Sequence, residues 1–322
     1  VSDLATVASL HPLVGLAQML GVGLVAAWLL MVVYTVRSLT RPPRRTYTWA
    51  VSRRTAGDPG ELEPSRAFEA FVFRGRASEL PAWRVVGDDP AGPVVVMTHG
   101  WGSSRVGGLK RVHAAAAAAN AVVLWDLPGH GEAPGTARLG ADEHLDLLAL
   151  LDSLPPGKAG LVLFGWSMGA GVSIRAAAED AAAGRGRIRA VIAEAPYIDP
   201  STPARAVMRL RGMPHRLNLA PAMAWIGLTR GVGPRWAGFD RDAHAARLGA
   251  VPLTVIHGDA DPVCPVDAGR AIAAAAPSGR LVIVPGAGHN DLWTDDRFEP
   301  AAARAVRDAV RSDREATGAG VL

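Results

Sequence analysis

Short apolar runs alternate with alanine-rich amphipathic stretches along most of this chain. Residues 94–97, 121–125, 161–164, 188–193, 252–256 and 281–284 are near-continuous apolar runs of strand length. A strand covered on both faces has to be apolar on both. Between them, residues 109–119, 143–151, 170–183, 267–276 and 300–311 read as helices. Residues 68–73 and 82–86 read as a pair of opening antiparallel strands. Repeated strand–helix units predict an α/β fold, a mostly parallel sheet with helices on both faces. Ligands in such a sheet bind beyond the carboxyl ends of the strands.

Two stretches break the alternation. Residues 196–248 hold no strand pattern and carry Tyr197, Met208, Met213, Met223, Trp225, Ile226, Trp236 and Phe239. They predict a small helical cap, whose methionines and tryptophans make adaptable apolar walls. Its arginines, Arg205, Arg209, Arg211, Arg216, Arg230 and Arg235, either meet an anionic substrate or headgroup or form a solvated face.

The second exception is residues 13–36, 24 positions without a charge. At ~1.5 Å per residue that length covers the ~30 Å hydrocarbon core, so it predicts a transmembrane helix. Arg37, Arg41, Arg44, Arg45, Arg53 and Arg54 follow it, whereas the residues before Pro12 hold no Lys or Arg. The positive-inside bias puts the rest of the chain in the cytoplasm. The expected organisation is an extension at 1–12, the membrane helix at 13–36 and a basic linker at 37–65. A catalytic core follows at 66–195 and 249–312, with the cap at 196–248 and a disordered tail at 313–322. No chemical motif precedes Thr98, so loss of residues 13–36 is expected to spare activity on soluble substrates.

The chemistry centres on Gly165-Trp166-Ser167-Met168-Gly169, between an apolar run and a helix. Strand, G-x-S-x-G, helix is the context of a nucleophile elbow. A serine there needs a histidine base, and the histidine a carboxylate. His257-Gly258-Asp259-Ala260-Asp261 follows one apolar run and Gly286-Ala287-Gly288-His289 another. The order is serine, acid, histidine, each just past a strand end, with Asp259 and Asp261 both open as the acid. His99, His130 and His257 sit in turns, where backbone hydrogen bonding is the ordinary role; His113, His144, His215 and His244 have no local partner.

With these motifs, and with Thr98-His99-Gly100-Trp101-Gly102 and Asp126-Leu127-Pro128-Gly129-His130-Gly131, the chain from about Phe68 to about Val310 resembles the α/β-hydrolase superfamily. It is most similar to the esterase, lipase and serine-aminopeptidase-like branch. The resemblance implies an α/β-hydrolase fold and the triad Ser167, Asp261 and His289. The family pattern G-x-x-D, read from Gly258, selects Asp261 and leaves Asp259 to brace the loop. It also implies an oxyanion hole from the backbone N–H groups of Trp101 and Met168, with Gly165 and Gly169 as the elbow glycines. The expected activity is a membrane-anchored serine hydrolase cleaving carboxylic esters of small molecules or lipids, with lipid-like or other apolar acyl groups favoured. A peptidase, a thioesterase and a catalytically silent scaffold are the alternatives.

Composition narrows little more. A net charge of +4 with only two lysines reflects arginine usage, and no nucleic-acid motif is present. The single Cys264 excludes an internal disulfide and a cysteine-based metal site. No His/Asp/Glu spacing points to a metal, and no cofactor motif is found. The oligomeric state is not encoded in any recognisable pattern.

Overall fold

The computed structural model describes residues 2–155 and 159–311, with side chains from Val14 onward. The expected tail at 313–322 lies outside the described residues. The elements, in chain order, are α1 (Ser2–Thr40), α2 (Tyr47–Val51), β1 (Phe68–Arg74), β2 (Glu79–Val86), β3 (Val94–Thr98), α3 (Arg105–Gly108) and α4 (Val112–Ala116). There follow β4 (Ala121–Trp125), α5 (Glu143–Ser153), β5 (Leu161–Trp166), α6 (Met168–Ala182) and β6 (Ile188–Glu194). The chain closes with α7 (Ser201–Leu210), α8 (Leu219–Thr229), α9 (Arg241–Ala246), β7 (Leu253–Gly258), α10 (Val266–Ala275), β8 (Gly279–Val284) and α11 (Glu299–Arg311).

Eight strands form one sheet in the order β1-β2-β4-β3-β5-β6-β7-β8. Only β2 runs antiparallel to its neighbours; β3 to β8 are parallel throughout. Period-two alternation splits each central strand between two cores. Val94, Val96, Val123 and Leu163 pack on one face with α5 and α6. Val95, Met97, Val122, Val162 and Phe164 pack on the other with α4 and α11. Leu163 and Phe164 are fully buried, and truncating such a side chain to alanine costs about 2–5 kcal/mol. The parallel strands end together at Thr98, Trp166, Glu194, Gly258 and Val284, so the loops that follow gather at one edge.

Residues 196–248 hold α7, α8 and α9 and no strand among the described residues. The N-terminal segment departs from expectation in two ways. First, α1 continues to Thr40, and its last turns pack on the insertion rather than standing clear. Val32, Thr35 and Leu39 are buried. Trp28 Nε1 donates to Leu217 O at 3.1 Å, and Asn218 Nδ2 donates to Thr35 Oγ1 at 2.6 Å. Second, residues 37–65 are docked. Arg44 donates to Ala133 O at 2.7 Å, Ser104 Oγ to Arg45 O at 2.6 Å, and Ala50 is fully buried. Within the stretch that read as a linker, Arg44 satisfies backbone carbonyls of the core at Gly131 and Ala133. Residues 14–40 remain the one described segment long and apolar enough to cross a membrane, with mean hydropathy 2.2.

Candidate active site

Ser167 joins β5 to α6 at φ 53°, ψ −117°. That is the left-handed side of backbone space, sparsely populated by residues with a Cβ. The turn is tight enough to require the flanking glycines. A Cβ on Gly165 would strike the carbonyl of Gly169, and one on Gly169 would strike the carbonyl of Thr98. The Ser167 N–H donates to Glu194 O at 2.8 Å, which ties the elbow to the end of β6.

The structure brings Ser167, His289 and Asp261 together. His289 Nε2 lies 3.2 Å from Ser167 Oγ, and His289 Nδ1 lies 2.6 Å from Asp261 Oδ2. With Nδ1–H donated to the carboxylate, Nε2 is left to accept the serine proton. Asp261 Oδ1 accepts N–H groups of Val263 at 2.8 Å and Cys264 at 2.9 Å. Burial alone would raise the Asp261 carboxyl. Hydrogen bonds from His257 and His289, then the Cys264 amide, outweigh it and hold the group well below the usual carboxylate range. Asp259 is exposed and accepts the Gly286 N–H at 2.6 Å, a brace between the two loops.

Met168 is the first residue of α6, where an N–H has no partner within the helix. Trp101 lies in the turn after β3. Both line the same cavity as Ser167 and His289, about 260 Å³ in volume. Its apolar lining includes Leu139, Tyr197, Pro200, Pro203, Val207 and Val263. Leu39 of α1 also lines it, and its carbonyl accepts Trp101 Nε1 at 2.8 Å.

Other groups escaped the motif reading. Glu194 is buried behind the elbow and accepts two hydrogen bonds from Arg111, the Nε one at 2.9 Å, and one from Trp293 Nε1 at 2.7 Å. Burial would raise its carboxyl, but Arg111 and Trp293 lower it below its ordinary value. Arg111 in turn stacks 4.1 Å over the Trp166 ring. Asp126 accepts the Arg105 and Glu132 N–H groups at 2.7 and 2.9 Å, holding the loop after β4. No spacing in the sequence joins Arg111 to Glu194, 83 residues apart. Each sits at a strand end or helix start, which was the only available signal.

Asp261, Cys264 and His289 form the one cluster of three ligand-type side chains among the described residues. Asp261 and His289 are bonded to each other, and burial, with the Asp261 charge, pushes the Cys264 thiol well up. A neutral thiol beside an engaged carboxylate–imidazole pair suits a hydrogen-bond relay rather than a metal.

Residues 94–305 match the model of the alpha/beta hydrolase family. The chain belongs to that family. In sequence it is similar to the pimeloyl-[acyl-carrier protein] methyl ester esterase of Chromobacterium violaceum, 45% identical over 78 residues. That match spans 24% of this chain and 28% of the relative's length. In structure it is similar to an esterase from Pyrococcus furiosus, with a TM-score of 0.62 and 19% identity over 84% of this chain and 97% of the other. It is also similar to the esterase RhEst1 from Rhodococcus, with a TM-score of 0.55 and 21% identity over 76% and 98%. Est1E from Butyrivibrio proteoclasticus with ferulic acid bound matches at a TM-score of 0.59 and 18% identity over 76% and 100%. At these identities the structural likenesses concern the fold.

Proposed function

We propose that this protein is a membrane-associated serine hydrolase that cleaves carboxylic esters. The observation that carries the reading is the hydrogen-bonded line Asp261–His289–Ser167 at an elbow opening into a cavity of mixed apolar and basic lining. Ser167 Oγ attacks the ester carbonyl as His289 Nε2 takes its proton. The carbonyl oxygen becomes an oxyanion, held by the N–H groups of Trp101 and Met168. Collapse expels the alcohol, which receives the proton from His289 and leaves an acyl-serine. Water, deprotonated by His289, then releases the acid. The esterase name of the sequence relative supports an ester over an amide or thioester. A cavity of about 260 Å³ is small for a ligand pocket and favours a short acyl chain.

Association with a membrane is supported by α1 and by the insertion beside it. Leu217, Trp225 and Leu228 are exposed next to α1, and the helix residues from Val14 to Met31 are exposed as well apart from half-buried Gly15. That exposed length is about 27 Å, short of the ~30 Å core. The span therefore draws on residues before Val14, or the exposed face of α8 lies in the bilayer with it. The arginines after the span favour a cytoplasmic catalytic domain. Covalent labelling of the full chain by a fluorophosphonate tests the proposal. Labelling at Ser167 is expected, and an unlabelled protein would falsify the reading.

A further inference from the structure

We propose that the cavity beside Ser167 binds an oxyanion, a carboxylate or a phosphate, carried by the ester substrate itself and held by Arg45, Lys110 and Arg211. The inference rests on the serine-hydrolase reading above and names its substrate class.

These three side chains line the cavity together with Ser167 and His289. None of them has a carboxylate partner within ion-pair distance among the described residues. Arg45 lies 5.0 Å over the Trp49 ring and Arg211 lies 5.1 Å over the Trp101 ring, so aromatic faces position them without neutralising them. Arg111 also lines the cavity, but its charge is spent on buried Glu194. No aspartate or glutamate lines the cavity. The nearest acids are engaged: Glu194 with Arg111 and Trp293, and Asp291 with the Gly288 N–H at 2.8 Å.

The cations also feel one another. Burial lowers the Arg45 guanidinium, and repulsion from Arg53 and Arg211 adds to it. Burial pushes the Lys110 ammonium down to about 8, with repulsion from Arg111 and Arg45 opposed by Glu194 and Asp291. Arg45 and Lys110 are half-buried and Arg211 is exposed. Like charges facing one cavity without a counter-charge are unfavourable unless an anion joins them. A carboxylate or phosphate oxygen supplies that charge and accepts the free N–H groups. The same cavity is also lined by Leu139, Tyr197, Val207 and Val263, so it offers both apolar surface and cations to an amphiphilic ester.

Two matched pairs of esters test this on the full chain. The first is p-nitrophenyl monoadipate against p-nitrophenyl methyl adipate, which differ by one carboxylate. The second is dihexanoyl phosphatidate against dihexanoylglycerol, which differ by one phosphate. The expected result is a preference of about 10- to 100-fold in kcat/KM for the anionic member of at least one pair, expressed in KM. A preference in the first pair alone assigns the site to a free carboxylate, and in the second alone to a lipid phosphate. Lys110→Met, Arg211→Gln and the double variant Arg45→Gln/Arg211→Gln should each drive the preferred ratio toward one. Fluorophosphonate labelling reports whether each variant is folded. Ratios near one in a labelled wild-type protein overturn the anion site and leave the hydrolase reading standing. A preference that survives all three variants overturns its assignment to these cations. An unlabelled wild-type protein removes both readings.

Discussion

Ser167 holds a backbone conformation that costs about 1–3 kcal/mol for a residue with a Cβ. Its N–H bond to Glu194 O and the glycines around it hold it there. On the proposed mechanism, Ser167→Ala should abolish fluorophosphonate labelling and ester hydrolysis while thermal stability stays near wild type. The two neighbouring carboxylates separate by geometry. Asp261→Asn removes the acceptor that orients His289 and should lower kcat by about 10⁴-fold. Asp259→Asn only loosens the bond to Gly286 and should cost far less; steady-state kinetics on a short p-nitrophenyl ester ranks them, and the reverse order moves the acid to Asp259. Behind the elbow, Arg111→Met strands the buried Glu194 carboxylate. We expect a loss of about 3–5 kcal/mol in chemical denaturation. A change below 1 kcal/mol would mean that Glu194 is satisfied without Arg111.

At the level of elements, α1 is joined to the site as well as to any membrane. Its last turns cover the insertion through Trp28, Val32 and Thr35, and Leu39 both lines the cavity and bonds Trp101. Truncation should therefore have two regimes. Removal through Ala27 should release the protein from membranes and keep activity on soluble short esters. Removal through Thr40 should also strip the Trp101 anchor and expose the insertion, with a drop in activity and in melting temperature. Equal activity in both truncations would show that the α1 contacts are dispensable. The expectation that loss of residues 13–36 spares activity on soluble substrates took no account of the contacts of Trp28 and Thr35, which join residues more than 180 positions apart.

For the molecule as a whole, charge bears on the proposed orientation and on the response to acid. On the proposed membrane association, the six arginines that follow residues 13–36 favour a cytoplasmic domain. A reporter active only in the cytoplasm, fused after Leu322, should be active; its silence, with degradation by external protease, would reverse the orientation. Burial keeps His130, His144 and His244 neutral, pushing them down to about 4, about 2 and about 3 from 6.5. Their folded values lie below the unfolded one. The unfolded chain therefore takes up protons first as pH falls below about 6.5, and stability is progressively lost. Asp126, raised to about 6 by burial, opposes this over about pH 4–6, as do Glu143 and Asp146, also raised by burial. His99 and His113, lowered by burial, add to the histidine side. The melting temperature should fall between pH 7 and pH 5. A flat or rising profile would show that these histidines are hydrated in solution.

The strand runs, their parallel arrangement, the elbow and the order Ser167, Asp261, His289 were legible in the sequence because they are local. Apolar length marks a strand buried on both faces, and glycine spacing marks a turn too tight for a Cβ. The likeness of these motifs to a known family then singled out Asp261 over Asp259. The partners of His113 and His144 were not legible. His144 faces Glu179 at 3.0 Å, and His113 accepts Arg66 Nε at 3.1 Å, across separate elements. The same holds for Arg111 with Glu194, for the docking of residues 37–65 and for Arg45, Lys110 and Arg211 on one cavity. Each depends on which loops the sheet order brings to the same edge. A linear pattern records periodicity and turn chemistry, whereas pairing between distant polar groups is decided only when the strands align and the helices cover them.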